Sequence, residues 1–178
     1  MPQLKAIAQL GEPVLRLTAQ GIQQFDTGSV RSLMADMLHT LNESGGVGLA
    51  APQVHESVRM IIVASRPTPR YPHAPEMPAT IMINPEFCVL SEALEKDWEG
   101  CLSIPGIRAL IPRHQNIGVT FTDAEGLLQQ LELQGFPARV LQHEIDHLDG
   151  LVYLDRVENN RDIISETEFF KLHAPSKI

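Results

Sequence analysis

The 178-residue chain has only two cysteines, Cys88 and Cys101, too few for a disulfide framework. That scarcity fits a reducing compartment, where a cysteine is more often a ligand or nucleophile than half of a bridge. Long apolar runs are missing too. The longest strictly aliphatic stretch, Ile61-Ile62-Val63, is far too short to cross a bilayer, so no membrane partner is expected. The opening Met-Pro-Gln-Leu-Lys-Ala has neither an apolar signal core nor an Arg-rich presequence pattern, and a cytoplasmic location is expected. Positive charge is in deficit: 14 Lys and Arg stand against 22 Asp and Glu, for a net charge of −8. That balance excludes a broad phosphate-binding surface, and with it a nucleic acid as sequence-specific partner. What is present is ordinary for a globular protein, 43% apolar and 20% charged. A chain this long can bury roughly 70% of its unfolded surface, and one domain over residues 1–178 is expected.

Hydrophobic spacing predicts a first helix in which Val30, Leu33, Met34, Met37, Leu38 and Leu41 form one buried stripe. Asp26 and Ser29 offer caps, and Asn42 to Gly46 supplies the stop, with Gly45 or Gly46 at positive φ. Strands are expected over Val58–Val63, Ile81–Ile83 and Phe87–Leu94. Between the first two, Arg66–Thr80 holds Pro67, Pro69, Pro72, Pro75 and Pro78. So many missing N–H donors predict a surface loop. Ile117-Val119-Phe121 and Leu131-Leu133 alternate on either side of Asp123-Ala124-Glu125-Gly126, which reads as a β-hairpin. A second helix is predicted from Pro137 to about Leu148, stopped by Gly150. A last one is predicted over roughly Arg161–Leu172, burying Ile163, Ile164, Phe169 and Phe170. One helix, then a run of strands, then helices argues for an α+β fold.

The informative segment is Gln142-His143-Glu144-Ile145-Asp146-His147. Histidines four apart on a helix project from one face about one turn apart, and so can take two corners of a tetrahedral metal site. Glu144 is rotated about 100° from His143, placed to take a proton from water at the metal rather than to ligate it. Two solvated histidines on an amphipathic helix are the bland alternative. A third ligand is needed, and a metzincin-type histidine fails because the position six beyond His147 is Tyr153. Two candidates remain: Glu166, nineteen residues beyond His147, and Cys101, a good ligand for a soft divalent metal. A small buried apolar group is the better reading for Cys88. A third segment, Gly46-Val47-Gly48-Leu49-Ala50-Ala51-Pro52-Gln53, lacks bulk near Gly48 and ends on an amide that can donate.

Together, Gly46-Val47-Gly48-Leu49-Ala50-Ala51-Pro52-Gln53, Glu99-Gly100-Cys101-Leu102-Ser103 and Gln142-His143-Glu144-Ile145-Asp146-His147 resemble the three motifs of the peptide deformylases, in the same order. The resemblance implies mixed or antiparallel β-sheets packed around a central metal-binding helix, with an N-terminal and a C-terminal helix. It implies removal of the formyl group from N-formylmethionyl peptides, with release of formate. Cys101, His143 and His147 would hold one divalent metal, and Glu144 would act as general base and acid toward water activated by that metal. The Gln53 side chain and the Leu102 N–H would be the oxyanion donors. Fe2+ is the expected ion in the cell, and Zn2+, Ni2+ and Co2+ suit the same ligands.

The peptide backbone would add along Gly48, as a strand does, with Gly100 as a further contact. Residues one turn before His143 then line the methionine pocket: Phe136, Arg139 through its alkyl stem, and Val140, with Val47 as a further candidate. Phe136 and Val140 read equally well as core. The ribosome is a transient partner that the resemblance raises. However, the tail mixes Asp162, Glu166 and Glu168 with Arg161, Lys171 and Lys177, and lacks the strongly basic extension some members use there. Two other readings stand beside this one: a zinc endopeptidase using Glu166, and a metal-stabilised protein that binds nascent N-termini without catalysis. Glu144 together with Gln53 argues against the second.

Overall fold

A computed structural model of the chain describes residues 1–68 and 71–173. Pro69 of the proline-rich stretch and Lys177 of the tail lie outside the described residues. Among the described residues three α-helices are formed, α1 (Gly28–Ser44), α2 (Phe136–Leu148) and α3 (Glu166–His173). The strands are β1 (Gly48–Ala50), β2 (Met60–Ser65), β3 (Met77–Val89), β4 (Leu94–Cys101), β5 (Ile104–His114), β6 (Asn116–Thr122), β7 (Leu128–Gln134) and β8 (Ile163–Ser165). They make two sheets, a five-stranded one in the order β1-β2-β3-β6-β7 and a three-stranded one in the order β4-β5-β8. Every pairing between these strands is antiparallel, as an α+β arrangement of hairpins and meanders requires.

The five-stranded sheet is covered on both faces, and β2 shows why. All six of its residues are buried, because successive side chains point to opposite sides. Ile61 and Val63 join Met82, Ile117, Val119 and Phe121 against Val140, Leu141, Ile145 and Leu148 of α2. Met60 and Ile62 join Leu49 and Ile83 against Met34, Met37 and Leu41 of α1. A smaller cluster of Ile104, Ala109, Ile111, Val152 and Tyr153 fastens the second sheet to the segment that follows α2. Truncating any one of these large side chains to alanine typically costs about 2–5 kcal/mol.

Several expectations change. The cap of α1 is Thr27, whose Oγ1 accepts from Val30 N at 3.2 Å; Asp26 instead pairs with Arg31. The proline-rich stretch ends early, since β3 already begins at Met77. β3 then runs through Val89, and residues 90–93 turn the chain into β4, so the expected strand over 87–94 is the end of one strand and the beginning of another. The C-terminal helix begins at Glu166 rather than Arg161. Ile163 and Ile164 are β-branched and pair with β5 as β8, and Ser165 Oγ accepts from Glu168 N at 3.3 Å. Of its four expected core residues only Phe169 is buried; Ile163 and Phe170 are exposed. Cys88 is likewise exposed, because it lies in the last turn-ward residues of β3, beyond the part covered by β2.

Candidate active site

Three segments converge where α2, packed on one face of the five-stranded sheet, meets the end of β4. β1 supplies Gly48 and leads directly into a 3₁₀ turn over Ala51–Val54 that carries Gln53. That side chain is buried and oriented at both ends. Its Oε1 accepts from Ala50 N at 2.9 Å, while its Nε2 donates to Ser103 Oγ at 3.2 Å and approaches Cys101 Sγ at 3.4 Å. Cys101 ends β4, and residues 102–103 form the tight link into β5, with Cys101 and Ile104 still paired. α2 starts at a Gly135 cap with Pro137 in its first turn, which suits proline because no intrahelical partner is lost. It stops where Gly150 adopts φ +77; a Cβ there would lie 2.9 Å from Arg16 O, so the chain passes only because the residue is glycine.

Pro137 to Leu148 of α2 are all buried, so its polar face must be satisfied within the protein. His143 and His147 lie with ring centroids 5.1 Å apart, and Cys101 Sγ is 3.2 Å from His147 Nε2. The ligand atoms of Cys101, His143 and His147 all fall within 4.8 Å of one another. Of the two third-ligand candidates in the sequence, Cys101 lies in this cluster and Glu166 does not; Glu166 pairs with Arg108 at 2.8 Å.

Behind the ligands lies a buried ionic lattice. His143 Nδ1 is 2.9 Å from Glu99 Oε2, which leaves Nε2 as its free ligand atom. Glu99 also accepts from Arg113 Nε at 2.9 Å, Arg113 Nη2 at 3.0 Å and Arg139 Nη1 at 2.9 Å. Arg113 continues to Asp146 at 2.6 Å, and Asp146 in turn accepts from Arg156 at 2.7 Å. Gln142 clamps the helix to β5 by accepting from His114 N at 3.1 Å and donating to His114 O at 2.8 Å. The Tyr153 ring stacks on His143 at 5.8 Å. Glu99 was visible in the sequence beside Cys101, and a ligating histidine's need for an acceptor on its second nitrogen singles it out. Arg113 and Tyr153 carry no such local signal.

The charges of the site follow from this packing. Burial opposes ionisation of Glu99, yet Arg113 and the His143 hydrogen bond hold its carboxyl far below the usual range. Burial likewise opposes a Cys101 thiolate, but His147 and His143 hold the thiol well below its ordinary value. His143 is raised despite burial by Cys101 and Glu99, so without a cation the site keeps a proton there. Glu144 is the reverse case: burial pushes it up to about 7, against the pull of both histidines. Among the described residues its Oε2 has no hydrogen-bond partner, and neither has His147 Nδ1. One thiolate, two imidazoles and an unpaired buried carboxyl are a donor set that fits a divalent first-row metal with water beside it. Binding such an ion would replace the proton on His143.

The cavity in front of these groups is lined on one side by Val47 and Gly48 and on the other by Gly100, Cys101 and Leu102. Phe136, Arg139 and Val140 also line it, as do Thr68, Tyr71 and Arg108, which no sequence signal singled out. The Arg139 guanidinium is committed to Glu99, to Ile111 O at 2.7 Å and to Glu95 O at 2.7 Å, so its charge serves the protein.

The chain is matched by the family model for polypeptide deformylase over residues 4–162. It is 50% identical over 171 residues to peptide deformylase 2 of Nostoc sp., covering 96% of each chain. Against peptide deformylase 1 of Nitrosomonas europaea the identity is 42% over 158 residues, covering 89% of this chain and 90% of that one. Among solved structures, the class I type b peptide deformylase from Acinetobacter baumannii with Met-Ala-Ser bound superposes with a TM-score of 0.85 at 42% identity, covering 88% of this chain and 100% of that one. A peptide deformylase from Synechococcus elongatus in complex with actinonin gives 0.79 at 36% identity, covering 91% and 82%. With the three motifs folded around one Cys/His/His cluster and these relatives along nearly its whole length, the chain belongs to the polypeptide deformylase family.

Proposed function

We propose that this enzyme hydrolyses the formyl group from N-formylmethionyl peptides using Cys101, His143 and His147 as metal ligands, Glu144 as general base and acid, and Gln53 with Leu102 N–H as oxyanion donors. The observation that carries the reading is the cluster of one thiol and two imidazoles within 4.8 Å, with the unpaired carboxyl of Glu144 beside it. A divalent cation held there supplies Lewis acidity and lowers the pKa of water from 15.7 to about 7. Glu144, a buried carboxyl beside the ligands with an unpaired oxygen, takes the proton from the attacking water and passes it to the departing amine. The products are then formate and a peptide with a free amino terminus. Charge that grows on the carbonyl oxygen is met by Gln53 Nε2, whose direction is set by the bond from Ala50 N to its own carbonyl.

The peptide backbone lies between Gly48 and Gly100, the two glycines that leave the cleft walls bare. Its methionine side chain enters among Val47, Phe136, Val140 and the stem of Arg139. Met-Ala-Ser, the tripeptide in the Acinetobacter baumannii structure, is what deformylation of N-formyl-Met-Ala-Ser leaves behind, which supports this class of substrate. Fe2+ is the ion we assign in the cell, with Zn2+, Ni2+ or Co2+ accepted by the same donors. We place the activity in the cytoplasm, on chains leaving the ribosome, in one catalytic unit spanning residues 1–178.

Formate release from N-formyl-Met-Ala-Ser by metal-loaded protein tests the reading. Wild type should turn over and Glu144→Ala should not, at equal metal content. Equal background rates for both would overturn it. Anaerobic purification followed by elemental analysis tests the ion, and zinc with undiminished activity in freshly isolated protein would contradict iron.

A further inference from the structure

Glu166 is the sequence candidate that the metal cluster leaves unused, and the fold gives it another position. β8 lies antiparallel to β5 with Arg108 opposite Ile164, so the first residue of α3 arrives beside the Arg108 side chain. Glu166 Oε1 accepts from Arg108 Nη2 at 2.8 Å and from Nε at 3.3 Å. On its other side Arg108 Nη1 donates to Tyr71 Oη at 2.9 Å. Phe169 of α3 and the Tyr71 ring flank the guanidinium, with Cζ 5.2 Å and 5.6 Å from their centroids. The arginine thus held presses on the cleft itself: a Cβ on Gly100 would lie 2.8 Å from Arg108 Cζ and Nε.

We propose that Glu166 and Tyr71 are positioning residues for peptide binding, because they hold the Arg108 guanidinium against Gly100 and so fix the wall along which the formylated peptide lies. The inference rests on the peptide passing Gly100, as proposed above. Arg108 is only 2% exposed, and it lines the cleft. A buried guanidinium that loses its acceptors must find water, because an unpaired buried charge is costly. The open direction is the cleft, where the charge would stand in the path of the peptide. Tyr71, in the proline-rich segment, ties the same wall to the start of α2, since its ring also packs on Phe136 with centroids 4.5 Å apart. The C-terminal helix therefore reaches substrate binding through Arg108, by way of Glu166 and Phe169, without touching the reacting atoms.

The experiment uses the full metal-loaded chain with three variants, Glu166→Ala, Glu166→Gln and Tyr71→Phe. Affinity for Met-Ala-Ser is measured by calorimetry, and KM and kcat with N-formyl-Met-Ala-Ser. Glu166→Ala should weaken Met-Ala-Ser binding and raise KM by about tenfold, with kcat within about twofold and metal content unchanged. Glu166→Gln, which keeps an oxygen acceptor, should recover most of the loss, and Tyr71→Phe should raise KM by about threefold. A lower melting temperature with unchanged KM and peptide affinity would mean a purely structural bond and overturn the proposal. A fall in kcat at unchanged KM would overturn it as well. If wild type released no formate while Glu166→Ala still bound Met-Ala-Ser more weakly, the deformylase reading would fail and the positioning role would stand.

Discussion

Gly48 faces Glu144 so closely that a Cβ at position 48 would lie 2.8 Å from Glu144 Cδ and 2.9 Å from Val140 Cγ1. The bare backbone of β1 is what lets the carboxyl occupy its place at the cleft. Gly48→Ala should therefore displace Glu144 while leaving the sheet intact. We expect kcat to fall by about 100-fold or more, the usual range for a lost acid–base group, with one metal per chain retained. Turnover near wild type would show that the carboxyl has room to move without consequence.

Gln53 is held by Ala50 at its oxygen and aims its nitrogen toward Cys101 and Ser103. Removing a comparable oxyanion donor costs about 3 kcal/mol of transition-state stabilisation. Gln53→Ala should accordingly lower kcat by about two orders of magnitude at unchanged metal content. Parallel loss of metal and activity would instead assign the amide to the ligand sphere.

Glu144 predicts a pH effect on the metal-free protein. Its folded value, about 7, lies above the ordinary 4.5, so the folded state holds a proton that the unfolded chain releases between those two pH values. Stability from this group is complete below pH 4.5 and is lost as pH rises through about 7. Glu144→Gln removes the dependence. Against wild type, the variant should gain up to about 3 kcal/mol at pH 8 relative to pH 4 in chemical denaturation. A difference that does not change with pH would contradict the burial argument.

Glu99 holds two guanidinium groups and the His143 ring at once, all buried. Glu99→Ala removes the carboxylate that the His143 ring and both guanidinium groups share, leaving Arg113 to Asp146 and Arg139 to the Ile111 and Glu95 carbonyls, and losing one partner of such a buried pair typically costs about 3–5 kcal/mol. Glu99→Gln is milder, because an amide oxygen can still accept. We expect it to fold and to bind metal about 10–100-fold more weakly, as loss of an acceptor behind a ligating histidine does. Metal affinity equal to wild type by competition with a chelator would show that His143 needs no such partner.

The histidine pair of the metal cluster was legible in the sequence because it is local, whereas the residues alone left Cys101 and Glu166 open as third ligand and only the family resemblance chose between them. Histidines four apart on a helix declare a shared face, and one cysteine in a glycine-bearing segment is a scarce ligand. The α1 stripe and the β6–β7 hairpin were readable for the same reason, each carrying its own period or turn. β5 was not, since Pro105 and Pro112 argue against a central strand. Both prolines lie outside Ile107–Ala109, the stretch that β8 covers, so the sheet tolerates them. The C-terminal boundary was hidden because β8 exists only as a partner of β5, which no local pattern reveals. Arg113 and Arg108 were out of reach too. Their carboxylate partners Asp146 and Glu166 lie 33 and 58 residues away, joined only by the fold.

X-ray absorption on zinc-loaded protein tests the central claim most directly. The account predicts one sulfur at about 2.3 Å and two nitrogens at about 2.0–2.1 Å around a single ion, the sulfur disappearing in Cys101→Ser. A shell containing only nitrogen and oxygen in the wild-type protein would contradict it.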